Sequence, residues 1–216
     1  MNIIENVREI REKLNEINPS IEILAATKTQ DISKIRECMN SGMVIAAGEN
    51  RVQELVGKYV SDFRWDFIGR LQTNKVKYIV DKVELIHSVD RFSLAEVIEK
   101  ESAKIRKVQN ILIEINGGNE ENKGGIRIEL LDEFIDKISD LPHIKICGLM
   151  AVTPINFEEI ELRKIFDRIY NEFQKRKTSV FKYLSMGMSD DYLIAAECGA
   201  NIVRPGRGIF GERSYK

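Results

Sequence analysis

Residues Ile21–Gln30 read IEILAATKTQ, and a helix-periodic segment, Ile32–Asn40, follows at once. Six of the seven residues ahead of Lys28 are uncharged and mostly apolar, the pattern of a strand buried on both faces. A strand of that kind running directly into a helix predicts a parallel sheet covered by helices. The alternation continues along the chain. Further strand-like runs are Met43–Gly48, Trp65–Gly69, Leu85–Val89, Asn110–Asn116, Ile144–Met150, Tyr183–Gly187 and Asn201–Arg204. Helical patterns lie at Arg51–Val60, Gln72–Asp81, Ser93–Lys107, Ile128–Ile138, Phe157–Lys177 and Tyr192–Cys198, with apolar residues three and four apart, as in Phe166, Ile169, Tyr170 and Phe173. A leading amphipathic helix spans Ile3–Ile17. Eight strands, each but the last followed by a helix, with right-handed crossovers predict a single (β/α)8 TIM barrel over residues 1–216 with an extra N-terminal helix. An open sheet is the alternative if Leu85–Val89 and Tyr183–Gly187 are not strands.

Composition narrows the partners. The 216 residues carry 33 basic and 34 acidic side chains, a net charge of -1, so no polyanion-binding surface and no nucleic-acid partner is expected. The cluster Lys175, Arg176 and Lys177 reads as a solvated helix end. The three cysteines, Cys38, Cys147 and Cys198, show no CxxC or His-paired spacing, which predicts buried reduced thiols in a cytoplasmic protein and no metal site. The N-terminal segment has acids throughout and is not a signal peptide. No run approaches the ~18–20 apolar residues of a membrane span.

In a barrel the site lies where strands end and βα loops begin. Strand one ends in Thr27-Lys28. A lysine at the mouth of a buried strand is partly desolvated, which favours its neutral, nucleophilic amine and Schiff-base chemistry; an ordinary strand-end lysine with its ammonium in water is the plainer reading. Strand five runs toward Glu120 and Lys123. Strand seven leads into Ser185-Met186-Gly187-Met188-Ser189-Asp190-Asp191, and strand eight into Arg204-Pro205-Gly206-Arg207-Gly208. Small residues before a helix leave backbone N–H groups and a hydroxyl to converge on an anion, and these two loops form the usual phosphate pocket of barrels. Ser189 capping its own helix is the competing reading. Arg204, ending a buried strand, needs a definite partner, either a carboxylate such as Glu197 or a ligand atom. Asn50 and Asn74 are helix N-caps or ligand amides, with N-cap the default. His87 is a core-edge histidine or a site residue, and His143, in a loop on the opposite face, is set aside.

Taken together, LAATKT, GENRVQE, WDFIGRLQTNK, IHSVDR, IEINGGNEENKGG, GLMAV, LSMGMSDD and VRPGRGIFGER resemble the pyridoxal phosphate homeostasis proteins over essentially the whole chain. The resemblance implies an alanine-racemase-like barrel with pyridoxal 5'-phosphate held as an aldimine on Lys28. It also implies a phosphate cradle at Ser189, Gly206 and Arg207, the last through its backbone N–H. Asn50 falls near the cofactor, and Arg204 takes the place of the arginine facing the pyridine nitrogen. A cation there keeps that nitrogen unprotonated and weakens the ring as an electron sink.

Two classes of function follow. One is a carrier that holds pyridoxal phosphate and releases it to apo-enzymes, with no catalytic residue and as a monomer. The other is a racemase-like enzyme of low activity. Two-base racemisation wants a second acid/base that a second domain supplies in the two-domain racemases, and the chain's end at Lys216 is expected to leave none. A lysine-dependent aldolase would want a proton-shuttling network beside the amine, and none is evident near Lys28. Lys75 or Lys123 at the mouth is a candidate second amine for release.

Overall fold

The computed structural model describes residues 2–118, 124–153 and 157–211; Glu120 and Lys123 lie outside them. Eight parallel strands close into a barrel in sequence order: β1 (Glu22–Ala26), β2 (Ala46–Glu49), β3 (Trp65–Phe67), β4 (Leu85–Val89), β5 (Gln109–Asn116), β6 (Ile144–Val152), β7 (Tyr183–Ser185) and β8 (Ile202–Val203). Closure pairs Glu22 with Ile202 and Ile23 with Val203. This is the predicted barrel, and Leu85–Val89 and Tyr183–Ser185 both take their places in it.

The helices are α1 (Ile3–Ile17), α2 (Ile32–Met39), α3 (Val52–Lys58), α4 (Phe92–Lys104), α5 (Leu131–Ser139), α6 (Glu159–Arg176), α7 (Tyr192–Glu197) and α8 (Arg207–Phe210). One expected α-helix is different: Gln72–Asp81 is a 3-10 helix over Thr73–Tyr78. Val76 inside it and Ile79 and Val80 just beyond it are buried, so the segment still turns its apolar side inward. Strand eight is shorter than Asn201–Arg204 because Pro205, which has no N–H, follows it.

Burial explains why these units pack. Ile23, Ala25, Phe67, Ile86, Ile111, Ile113 and Leu184 turn outward from the barrel into the helix layer and are fully buried there, each contributing about 1.5–3 kcal/mol for the larger side chains. Small apolar clusters, Leu24 with Ala46, Ile68 and Ile202, and Leu85 with Leu112, Cys147 and Met150, fill parts of the interior. Helix α1 buries Ile3, Val7, Ile10 and Leu14 and packs on α2, α7 and α8, so it seals the seam between β8 and β1 from outside. Asn6 Nδ2 donates to the Ile209 carbonyl at 2.8 Å, tying that helix to α8. No helix among the described residues is long and apolar enough to cross a membrane. All three cysteines are free and buried.

Candidate functional site

The sequence places Lys28 two residues past β1, and a chain of ionic contacts fixes its loop. Glu49, the last residue of β2, is fully buried. Its carboxylate accepts from the Thr27 hydroxyl at 3.1 Å, the Lys58 ammonium at 2.8 Å and the Asn50 N–H at 2.7 Å. Lys58 also donates to Glu54 at 3.0 Å and to the Thr27 carbonyl at 3.1 Å. The Thr29 N–H donates to Glu54 at 2.7 Å, holding Thr29 at φ 66, a left-handed conformation that a β-branched residue adopts only when its surroundings impose it. Residues on both sides of the half-buried Lys28 are therefore anchored, Thr27 to Glu49 and Thr29 to Glu54, by two carboxylates that share the Lys58 ammonium. Glu49, Glu54 and Lys58 were not singled out from the sequence; the acid in GEN and a lysine nine residues on in the next helix were the available signal.

Ser189 does not cap its helix. The N-cap of α7 is Asp191, with no side-chain cap bond. Buried Asp191 instead accepts from the Met188 N–H and from the Thr153 hydroxyl, both at 2.6 Å, which pins the loop down. The Ser189 hydroxyl is left to accept from the Gly206 N–H at 2.9 Å and the Gly208 N–H at 3.2 Å. The loops after β7 and β8 thus meet around one oxygen, with two backbone donors pointed at it. Gly187, at φ +87, is needed for the approach: a Cβ there would lie 2.7 Å from Ala195 Cβ and 2.8 Å from Tyr192 Cα. A crevice of about 20 Å³ beside this point is lined by Ala26, Lys28, Gln30, Gly206, Arg207 and Gly211. Barrel closure therefore puts the lysine of strand one against the glycine loop of strand eight. The Arg207 side chain turns away to an ion pair with Asp190 at the surface.

Arg204 is 3% exposed. Its partner is not Glu197, which is exposed and pairs with Arg163. Nη1 donates to Ser185 Oγ and Nη2 to the Ala151 carbonyl, both at 2.7 Å. Burial lowers its pKa to about 10, with Asp191 and Glu114 opposing the shift, so the side chain remains a cation at neutral pH. Asn50 and Asn74 are not N-caps: α3 is capped by Arg51 and the 3-10 helix by Gln72. Asn74 is exposed. The Oδ1 of Asn50 is buried without a hydrogen-bond partner among the described residues, and a buried amide oxygen of that kind is an acceptor waiting for a donor. Its backbone packs so tightly on Gly69 that a Cβ there would sit 2.1 Å from the Asn50 carbonyl oxygen.

His87 is wholly buried inside the barrel, and His143 pairs with Glu99 at 2.7 Å on the far side. Lys75 lies in the wall of a separate 650 Å³ cleft with Asn50, Arg51, Arg70 and Arg91. Glu114, on β5, has its carboxyl raised to about 7 by burial and by Asp90, against the cations Arg204, Arg70 and Arg91. No cluster of metal-ligating side chains occurs among the described residues.

Eight parallel strands closed in sequence order, with the loops after β7 and β8 meeting the loop after β1, define a (β/α)8 barrel whose C-terminal loops form one candidate site. Residues 1–214 match the family model of the alanine racemase N-terminal domain. The chain is 42% identical over 220 residues to the pyridoxal phosphate homeostasis protein of Aquifex aeolicus, covering 99% of this chain and 96% of the relative. PipY of Synechococcus elongatus, solved with pyridoxal phosphate bound, superposes with a TM-score of 0.86 at 28% identity, covering 97% of this chain and 100% of that one. An alanine racemase from Corynebacterium glutamicum shares the fold alone: TM-score 0.72, 14% identity, 98% of this chain and 61% of that enzyme. The chain belongs to the pyridoxal phosphate homeostasis protein family.

Proposed function

We propose that this protein binds pyridoxal 5'-phosphate, joins its aldehyde to the Lys28 amine as an imine, and serves cofactor homeostasis by holding it and passing it to apo-enzymes. The observation that carries the reading is the meeting of Lys28 with Gly206 and Arg207 in one crevice, beside the two glycine N–H groups gathered on Ser189 Oγ. Backbone donors aimed at an oxygen are the groups that hold a phosphate. In this reading the hydroxyl of Ser189 and the N–H groups of Gly206, Arg207 and Gly208 take the phosphate, and Asn50 lies near the ring. Arg204 faces the pyridine nitrogen as a cation, which disfavours protonation there and restrains carbanion chemistry. The same chemistry favours a carrier over an enzyme; our reading further takes it to act as a monomer in the cytoplasm. The names of the Aquifex relative and the loaded PipY structure support the ligand.

A racemase-like enzyme of low activity is the second reading, and Glu114 is the observation for it: a carboxyl titrating near neutrality beside Arg204 has the pKa a general acid/base wants. Reconstitution with pyridoxal phosphate tests both. A visible absorption band, absent in Lys28→Ala, and a borohydride-reduced label mapped to the Lys28 peptide are expected. A chain that stays colourless, or a label elsewhere, refutes the binding mode. A racemisation rate in the ordinary enzyme range, ~1–10³ s⁻¹, refutes the carrier reading.

A further inference from the structure

A column of polar side chains runs through the barrel from one end to the other. At the N-terminal end Arg64, just before β3, makes a two-point pair with Asp66, Nε to Oδ1 and Nη2 to Oδ2, each at 2.8 Å. Asp66 Oδ2 lies 3.2 Å from His87 Nε2 on β4, and His87 Nδ1 lies 3.1 Å from Ser185 Oγ on β7. Ser185 Oγ in turn receives Arg204 Nη1. Asp66, His87 and Ser185 have no exposed surface. Four members come from different strands or strand ends, and nothing in the binding site as described above uses Asp66 or His87.

The proton inventory gives this column a direction. Asp66 is held below the ordinary carboxylate range: burial pushes its pKa up, but the hydrogen bonds of His87 and Arg64 and the Arg64 charge pull it down further. It is therefore ionised and can only accept. His87 is held below its ordinary value chiefly by burial, with Arg204 and Arg64 adding to the fall and Asp66 opposing it, so the ring is neutral. A neutral ring facing an acceptor-only carboxylate carries its one proton on Nε2. Nδ1 is then the acceptor, Ser185 donates its hydroxyl proton to it, and the serine lone pairs are turned to the Arg204 N–H. In the other tautomer the Nε2 lone pair would face the Asp66 carboxylate, and the Ser185 hydroxyl proton would lose its acceptor in the column.

We propose that Asp66, His87 and Ser185 are positioning residues for Arg204: a one-way chain of hydrogen bonds that, with the Ala151 carbonyl, fixes the guanidinium plane and the aim of its remaining N–H groups. What that aim serves rests on the proposed cofactor site, where Arg204 meets the pyridine nitrogen.

The test has an arm that needs no cofactor. In the unloaded full chain, long-range ¹⁵N NMR of His87 should show the Nε2–H tautomer, without titration from about pH 5.5 to about 8, and the Arg204 Nε–H should give a slowly exchanging signal. Ser185→Ala and Asp66→Asn should shift or broaden that arginine signal, and Ser185→Thr, which keeps the hydroxyl, should restore it. In loaded protein, Ser185→Ala should weaken pyridoxal phosphate binding about tenfold and move the absorption maximum. An Nδ1–H ring, a titrating His87, or an arginine signal indifferent to Ser185→Ala overturns the proposal. Failure of the wild-type chain to take up pyridoxal phosphate would instead refute the proposed function and leave the tautomer and arginine measurements to decide the column.

Discussion

Replacing Lys58 by Met removes the single ammonium shared by Glu49, Glu54 and the Thr27 carbonyl, at 2.8, 3.0 and 3.1 Å. Glu49 has no exposed surface, while the Lys58 and Glu54 side chains are 14% and 22% exposed. Breaking a buried pair by deleting one partner costs about 3–5 kcal/mol, because the other charge stays buried and uncompensated. The water that reaches Lys58 and Glu54 screens part of that, which puts the expected loss near the lower bound, about 3 kcal/mol. For a domain of this size that corresponds to a fall in Tm of about 6–12 °C. Urea unfolding at neutral pH reads the free energy directly. Lys104→Met is the control: its pair with Glu101 is on the surface, the lysine 55% exposed, and such pairs are worth about 0–1 kcal/mol. Adding Glu49→Gln to Lys58→Met should recover part of the loss, since it removes the orphaned charge, and the coupling in the double-mutant cycle should exceed about 1 kcal/mol. Because Thr27 directly precedes Lys28, the variant should also release pyridoxal phosphate faster. A loss below about 1 kcal/mol, or no recovery in the double variant, would refute the view that Glu49 and Lys58 anchor the Lys28 loop.

Gly187→Ala should destabilise the chain by about 1–3 kcal/mol and loosen the Ser189 loop, since φ is +87 and the added Cβ meets Ala195 and Tyr192; differential scanning calorimetry and phosphate competition read the two effects. The pH dependence of stability should contain two opposed contributions. His87 binds its proton more readily unfolded than folded, so it removes stability as pH falls below 6.5, by up to about 1.4 kcal/mol per unit. Glu114 has its folded pKa raised from 4.5 to about 7, so its contribution is full below 4.5 and is lost as pH rises to about 7. The wild-type minus Glu114→Gln stability difference should therefore fall across that window; a flat difference would contradict the assignment. Finally, the Cys38 thiol is pushed up to about 12 and that of Cys198 to about 11 by burial, and Cys147 is raised as well. A thiol reagent near neutral pH should find almost no reactive group in the native protein and three after unfolding.

Several parts of the site could be read directly from the chain. The Ser189 and Gly206 loops announce themselves by small residues between a strand and a helix, because two backbones that meet around one hydroxyl exclude side chains locally. Lys28 is legible for a similar reason, as a lone charge at the end of an apolar run. The Gln72–Asp81 pattern reads as an α-helix because Val76, Ile79 and Val80 stand three and four apart; the 3-10 helix ends at Tyr78, before Ile79 and Val80. Of the two readings of Asn50, the N-cap fails, since Asn is a good cap anywhere before a helix but α3 is capped at Arg51; the ligand-amide reading stays with the proposed site. Arg204 needs a carboxylate such as Glu197 or a ligand atom by its sequence alone, and the structure gives it a serine and a carbonyl from other strands.

What the sequence by itself determined is the order and number of the strand–helix units and which strand ends carry glycine, lysine and hydroxyl groups. Those properties are local: periodicity and turn chemistry act over a few residues. What only the tertiary structure decided is which of those ends face each other. Closure of β1 on β8 puts Lys28 beside Gly206, and the barrel interior lines up Asp66, His87, Ser185 and Arg204. Those side chains are up to 98 residues apart across a single hydrogen bond. No spacing rule reaches that far; they meet because parallel strands direct alternate side chains into one enclosed space, where buried polar groups must satisfy one another.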